Sequence, residues 1–381
     1  MECEKLTLDK LGSVSRGRSK HRPRNDESLF NGSYPFIQTG DVKKAGLHIV
    51  DYTETYNEKG FAQSKLWSSG TLCITIAANI ADTSILSFPA CFPDSIIGFI
   101  ADDSKSDVRF VKYSFDILQK KCQAISLGAT QDNLSWEKLS KIKFDVPSLP
   151  IQKKIASILS TYDNLIENNA KRIKLLEQMA ENLYKEWFVR FRFPGHENVE
   201  MENGLPKGWK IERLGNISNI STGKCNREDA EEEGEYPLFD RSQEIKRSSV
   251  WIKDCEAIIV PGEGTSFMPR YFKGKFNLHQ RCYCVNPNMD NIGFFLFYTL
   301  MLNRMYFLSV ATGATVPSLR QNNFTKMKFI MPTIELIHKF NSIVQNARNC
   351  CDNLYKQNEF LTRQRDLLLP RLMSGKLEVK P

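Results

Sequence analysis

The chain is 381 residues long, two to three times the common domain size, which excludes one small domain and predicts two or more. Hydrophobic residues at 41%, aromatics at 11% and charged residues at 25% exclude a disordered or collagen-like chain, and no run approaches the roughly 18 apolar residues of a spanning helix. The net charge of +8 is patterned: residues 1–150 hold 19 basic and 18 acidic side chains, 151–196 hold 8 and 5, 197–332 hold 17 and 16, and 333–381 hold 8 and 5.

Met1-Glu2-Cys3-Glu4-Lys5 carries acids and no apolar core, so no secretory or lipidation signal is expected; the expected compartment is the cytoplasm, with no membrane partner. Arg16, Arg18, Lys20, Arg22 and Arg24 then fall on every second residue, with no acid between Lys10 and Asn25. In an extended chain all five lie on one side, a row of phosphate or base-edge contacts; the alternative is a solvated loop. Leu11-Gly12 and Tyr34-Pro35-Phe36 have counterparts in Leu214-Gly215 and Tyr236-Pro237-Leu238, which aligns Gln38 and Thr39 with Asp240 and Arg241. Gly128-Ala129-Thr130, Leu134, Phe144 and Pro147 recur at a constant offset of 185 as Gly313-Ala314-Thr315, Leu319, Phe329 and Pro332. The pattern is one mixed unit occurring twice, the second copy shorter in its middle. Thr71–Ala77 and Ala257–Val260 are β-rich apolar runs bounded by glycine or proline and predict buried strands.

Each copy ends in a long amphipathic helix, with Ser148 and Thr333 as equivalent N-caps. In the first, Ile155, Tyr162, Asn169, Leu176 and Leu183 interleave with Leu159, Ile166, Ile173, Ala180 and Trp187. In the second, Phe340, Ala347, Leu354, Leu361 and Leu368 interleave with Val344, Cys351, Asn358, Arg365 and Leu372. Alternating steps of four and three make a heptad seam, about 50 Å long at 1.5 Å per residue. The competing expectation is that each helix packs only on its own domain. Pro370 is expected to end or kink the second helix and take Leu372 out of the seam.

No catalytic centre is visible. The phosphate loop, the nucleophile elbow and the H-E-x-x-H metal helix are all missing, and no two histidines stand at ligand spacing. The ten cysteines form no C-x-x-C pair, so free thiols are expected rather than zinc. Asn286-Pro287-Asn288 lacks the second proline and the aromatic that a base-flipping N-P-P-Y motif of an amino-methyltransferase requires. Arg270-Tyr271-Phe272-Lys273-Gly274-Lys275-Phe276, followed by His279-Gln280-Arg281, mixes basic, aromatic and amide groups suited to DNA; an edge strand kept soluble by lysine is the alternative. The run Glu228–Glu233 would repel phosphate and is expected to face solvent.

Over essentially its whole length the chain resembles the specificity subunit of type I restriction-modification enzymes. The matching strings are GTLCITIAANIADTSILSFPACFPDSIIGF (70–99), YKEWFVRFRFPG (184–195), LPKGWKIERLG (205–215), EAIIVPGEGTSFMPRYFKGKFNLHQRCYCV (256–285) and LLLPRLMSGKL (367–377). The resemblance implies a chain that binds double-stranded DNA without catalysis and holds no cofactor or metal. Its helices would dock methyltransferase subunits, expected to be two and to carry S-adenosylmethionine, and restriction subunits that use ATP and magnesium. Recognition domains of this family read different sequences, so no base-contacting residue carries over from it.

The expected fold is α+β: two α/β target-recognition domains separated by two long helices that form an antiparallel coiled coil, with an internal pseudo-two-fold repeat. The expected segments are 1–147 (first recognition domain), 148–192 (first helix), 193–209 (linker), 210–332 (second recognition domain) and 333–381 (second helix and tail). The expected DNA contacts are Arg16, Arg18, Lys20, Arg22, Arg24, Gln38, Thr39, Asp240, Arg241, Arg270, Lys273, Lys275, His279, Gln280 and Arg281. Asn169 and Asn358 are expected to face each other and set the register. Each domain is expected to read one half of an asymmetric, bipartite target. The alternatives are a coiled-coil scaffold whose globular ends bind proteins, and a methyltransferase fused to its own recognition domain, which the missing motifs weigh against.

Overall fold

The short extended runs of the sequence fold, in the computed structural model, into two units that share part of their strand topology. The structure describes residues 2–76, 81–125, 136–313 and 315–379. Ala77, Gly128, Ala129, Thr130, Leu134 and Ala314, which the sequence reading singled out, lie outside the described residues, as does the side chain of Cys122. Unit 1 comprises Met1–Lys171 with Leu354–Pro381, and unit 2 comprises Arg172–Asn353.

Unit 1 opens with β1 (Glu4–Thr7), the single turn α1 (Leu8–Leu11), β2 (Gly12–Arg16), β3 (Phe30–Phe36), α2 (Thr39–Lys44), β4 (His48–Ile49), β5 (Glu54–Tyr56) and α3 (Glu58–Ala62). It continues through β6 (Leu66–Trp67), β7 (Leu72–Thr75), β8 (Thr83–Leu86), β9 (Ala90–Cys91), β10 (Ile96–Ala101), α4 (Val108–Ile125), α5 (Trp136–Lys141) and β11 (Lys143–Val146) into the first part of α6 (Leu149–Tyr184). β1 pairs with β11, and the remaining strands form sheets in the orders β2-β10-β7-β8-β4 and β5-β3-β9-β6. All four residues of β7, Leu72-Cys73-Ile74-Thr75, are buried, which is why its sequence is mostly apolar and does not alternate.

Unit 2 contains β12 (Met201–Glu202), β13 (Leu205–Pro206), β14 (Lys210–Arg213), α7 (Leu214–Ile217), β15 (Ser218–Thr222), β16 (Tyr236–Phe239), β17 (Lys246–Ser248) and β18 (Lys253–Pro261). Then come β19 (Arg270–Leu278), β20 (Cys282–Pro287), α8 (Gly293–Leu302), α9 (Arg304–Val310), α10 (Gln321–Thr325), β21 (Lys328–Met331) and the first part of α11 (Ile334–Met373). β14 pairs with β21 as β1 does with β11, and β15-β20-β18 repeats β2-β10-β7 within a six-stranded sheet, β15-β20-β18-β19-β16-β17. Phe36 of β3 pairs in parallel with Cys91, and its counterpart Leu238 of β16 pairs in parallel with Asn277. Unit 1 divides between β8 and β9 what unit 2 builds as the continuous β19: Pro89, which cannot donate to a ladder, lies in the break.

The helix pair is antiparallel, and its ends belong to the domain cores. In unit 1, Ile155, Ala156 and Leu159 of α6 and Leu369 and Leu372 of α11 pack with Leu8, Leu11, Ile74, Ile97 and Phe110. In unit 2, Ala180 and Tyr184 of α6, and Trp187 and Phe188 of the wider π-turn Lys185–Val189 that follows, pack with Leu336, Ile337, Phe340 and Val344 of α11. Seam and domain packing therefore coexist. Pro370 does not remove Leu372 from the core: α11 continues to Met373 and Leu372 is buried. Ser148 and Thr333 precede the helices, but it is their carbonyls that accept the first-turn amides, Gln152 N at 3.0 Å and Leu336 N at 3.1 Å. The stretch 193–209 is structured, with the rings of Phe193 and Trp209 5.3 Å apart in the core of unit 2.

Two polar contacts within unit 1 define the helix register. Asn169 Nδ2 donates to Asn358 Oδ1 at 3.0 Å, and Asn358 Nδ2 donates to the carbonyl of Ile166 at 3.3 Å. About two turns away Arg365 Nη1 donates to Asp163 Oδ1 at 2.5 Å, while Tyr113 Oη donates to Asp163 Oδ2 at 2.5 Å. Among the described residues no single helix is long and apolar enough to cross a membrane.

Candidate nucleic-acid interface

In unit 1 the basic comb begins on β2, an edge strand that pairs with β10 through Arg16 opposite Ile97. Beyond Arg16 the backbone stays attached through Gly17 N to Ile96 O (2.8 Å) and Arg18 N to Phe92 O (3.0 Å). Gly17 is required there, because a Cβ would lie 2.2 Å from the carbonyl of Pro93. Arg16, Arg18 and Lys20 are exposed while Gly17 and Ser19 between them are buried, so the alternation holds over this stretch. It ends at Lys20. His21 turns inward to bond Asp26 at 2.7 Å, and Arg22 and Arg24 both face Asp94, at 3.7 and 2.5 Å. The comb is thus three cations with no carboxylate partner among the described residues, followed by two that share one carboxylate and keep a net positive charge between them.

Beside it opens a cleft of about 720 Å³, whose lining includes Arg24, Asn25, Asn31, Gln38, Thr39 and Glu54. Gln38 sits at the entry to α2; its backbone amide donates to Asp41 Oδ2 at 2.8 Å and its side-chain Nε2 to Glu54 Oε2 at 2.6 Å. The structure therefore gathers Arg24, Gln38 and Thr39 around one cleft and adds Asn25, Asn31 and Glu54.

In unit 2 the expected residues separate into surface and interior. Lys273, Lys275, Gln280, Arg241 and Arg281 are exposed. Lys275 stands over the Trp251 ring at 4.8 Å, and Gln280 Nε2 donates to Asn226 Oδ1 at 2.5 Å. Asp240, Arg270 and His279 correct the sequence reading, for they point inward. Asp240 is buried; burial raises its pKa, but hydrogen bonds from Lys246 Nζ (2.6 Å) and from Ser242 outweigh that and hold it at about 2. Arg270 lies half-buried 5.8 Å from the Phe239 ring, donates to the Ser242 carbonyl, and has its pKa lowered by desolvation. His279 is buried, accepts from Arg281 N at 3.0 Å, and is disfavoured as a cation by burial first and by Arg241 second. The edge-strand reading of 270–276 is half right: the segment pairs with β18 on one side, and its pairing with β16 starts only at Asn277. Glu228, Asp229, Glu232 and Glu233 are exposed.

Residues 3–178 and again 206–361 match the family described as "Type I restriction modification DNA specificity domain". The chain belongs to this family. Each matched stretch takes in one α/β unit and most of the helix that follows it. The type I restriction enzyme MjaIX specificity subunit of Methanocaldococcus jannaschii is 28% identical, over 97% of this chain and 92% of that one. The EcoDI specificity subunit of Escherichia coli is 28% identical over 45% of this chain and 39% of its own. The crystal structure of a type I restriction-modification S subunit from M. genitalium has the same fold, with a TM-score of 0.62 at 18% identity over 98% of this chain and 96% of that one.

The sequence reading missed the acids that orient the basic and amide groups: Asp94, Glu54 and Glu263. Asp94 is 70 residues from Arg24, beyond the reach of a local pattern. Glu263 carried a usable signal, standing between two glycines in Pro261-Gly262-Glu263-Gly264.

Proposed function

We propose that this chain is the DNA-reading subunit of a type I restriction-modification complex, in which unit 1 and unit 2 each read one half of an asymmetric, bipartite double-stranded target. The observation that carries the reading is the duplication itself: the family pattern and its shared strand arrangement occur twice and present different chemistry at equivalent positions. Unit 1 has the amide Gln38, held by Glu54, where unit 2 has Asp240 followed by the exposed Arg241. An amide suits adenine and a guanidinium suits guanine in the major groove, so the halves of the target differ. Arg16, Arg18 and Lys20 supply phosphate contacts that position unit 1.

The remaining assignments extend the proposal to the partners. The chain performs no chemistry and holds no cofactor; methyltransferase subunits, two in number, supply S-adenosylmethionine, and restriction subunits supply ATP and magnesium. The test is methyl transfer to duplex DNA by the purified full chain, alone and mixed with its methyltransferase subunit. Transfer confined to the mixture, and to defined sequences, is expected. Robust methylation by this chain alone, or a mixture that fails to select any sequence, overturns the reading.

A further inference from the structure

Three backbone segments of unit 2 converge around Glu263. The segment after β16 brings Arg241, the loop after β18 brings Glu263 itself, and the turn between β19 and β20 brings Arg281. They are locked together by His279 N to Phe239 O (2.9 Å) and Gly262 N to Arg281 O (2.7 Å). Glu263 is fixed on both sides: Leu319 N donates to Gly262 O at 2.8 Å and Gly264 N to Pro317 O at 3.0 Å. Gly262 makes this approach possible, since a Cβ would lie 2.7 Å from the Arg281 carbonyl and 2.8 Å from the Tyr283 ring.

The Glu263 carboxylate, 18% exposed, accepts from Arg241 Nη1 at 2.6 Å and faces Arg281 Nε at 3.5 Å; the two arginine side chains are 48% and 61% exposed. One carboxylate between two guanidiniums leaves a net positive charge at the surface. Among the described residues Arg281 is engaged through Nε alone, which leaves both terminal nitrogens available. Those two donors match the O6 and N7 acceptors of guanine in a fixed planar fork, a geometry that the flexible point charge of a lysine does not supply. Asp240, beside Arg241 in the chain, is committed to Lys246 and Ser242.

We propose that Arg281 is a guanine-reading residue of unit 2 and that Glu263 is the positioning residue that aims it, with Arg241 as its second, partnered arm. This rests on the chain being a DNA-specificity subunit and goes further by naming a base and the side chain that selects it.

The experiment maps methylated bases genome-wide in a host without other DNA methylation, co-expressing the full chain and its methyltransferase subunit. The wild type is compared with R281A, R281K and E263Q. The wild-type target is expected to require a G·C pair at one position of one half-site. R281A and R281K should both lose discrimination at that position alone, by about tenfold to hundredfold, with E263Q relaxing the same position more weakly. R281K keeps the charge and the stem, so it remains informative even where R281A fails to fold. An R281K map identical to the wild type, as a phosphate contact would give, overturns the proposal, and so does relaxation at a position that is not G·C. A wild-type map with no sequence-specific methylation would instead sink the specificity-subunit reading, and this proposal with it.

Discussion

Where α6 and α11 run through unit 1 they are held by directed polar contacts, Asn169 with Asn358 and Asp163 with Arg365 and Tyr113, and Glu167 accepts from His48 N at 2.7 Å. In unit 2 the same two helices meet in a cluster of rings: Phe340 lies 5.1 Å from Phe188, 5.8 Å from Tyr184 and 6.2 Å from Trp187. The single polar link of Tyr184 there is to Thr299, at 2.8 Å. The contrast separates two jobs that one helix pair must do. Apolar burial supplies stability but tolerates sliding, whereas a buried carboxylate or amide is satisfied in one register only. A slip of the seam would leave Asp163 and Asn169 buried without partners, at a cost that ring packing does not impose.

The contrast breaks most directly at the ring cluster. Phe340→Ala should destabilise the protein by about 3–5 kcal/mol in urea unfolding, through lost burial and the cavity left behind. Asp163→Ala should cost about 3 kcal/mol, because the Tyr113 hydroxyl loses its acceptor and the half-buried Arg365 is left to its sequence neighbour Asp366. Replacing Asp163 and Arg365 together by Leu and Met should recover most of that loss; a double variant as unstable as Asp163→Ala alone would show that the pair contributes more than register.

A third, smaller effect distinguishes the reading surfaces by pH. The Asp240 carboxyl in the folded chain sits at about 2, below its ordinary 3.8, so its contribution to stability is present above about pH 4 and drains away as the pH falls towards 2. Gln38, at the equivalent position of unit 1, does not titrate. Asp240→Asn should therefore flatten the acid limb of the stability curve, and an unchanged limb would remove Asp240 from the account. The smallest effect on folding belongs to the comb. Changing Arg16, Arg18 and Lys20 to alanine should alter stability by less than about 0.5 kcal/mol while reducing the log–log salt dependence of DNA binding by up to about 0.9 per lost phosphate contact. Arg22 and Arg24, whose charge Asp94 offsets in part, should change that slope less.

The repeat, the helix pair and its antiparallel register were legible in the sequence because each leaves a period or an offset: 185 residues between the copies, seven between seam positions. The division into units was not legible, since the heptad pattern passes without a break through Lys171, where unit 1 gives way to unit 2. Pro370 does not end the second helix, which carries on to Met373 and leaves Leu372 in the core of unit 1. In the candidate site, alternation located the exposed Arg16, Arg18 and Lys20 but could not say which side of β19 faces the core, so Arg270 and His279 read as surface cations although both turn inward. The acids that fix the arginines come from distant segments, and only folding brings them together.

The claim on which the account turns is that the two units read separate halves of one target. It is tested most directly by exchanging residues 197–332 for the corresponding segment of another family member and mapping the bases that the reconstituted methyltransferase then modifies. The account predicts that one half-site changes while the other half-site and the unread spacer stay as they were. A map in which both half-sites change together, or in which the target is a single continuous sequence, would contradict it.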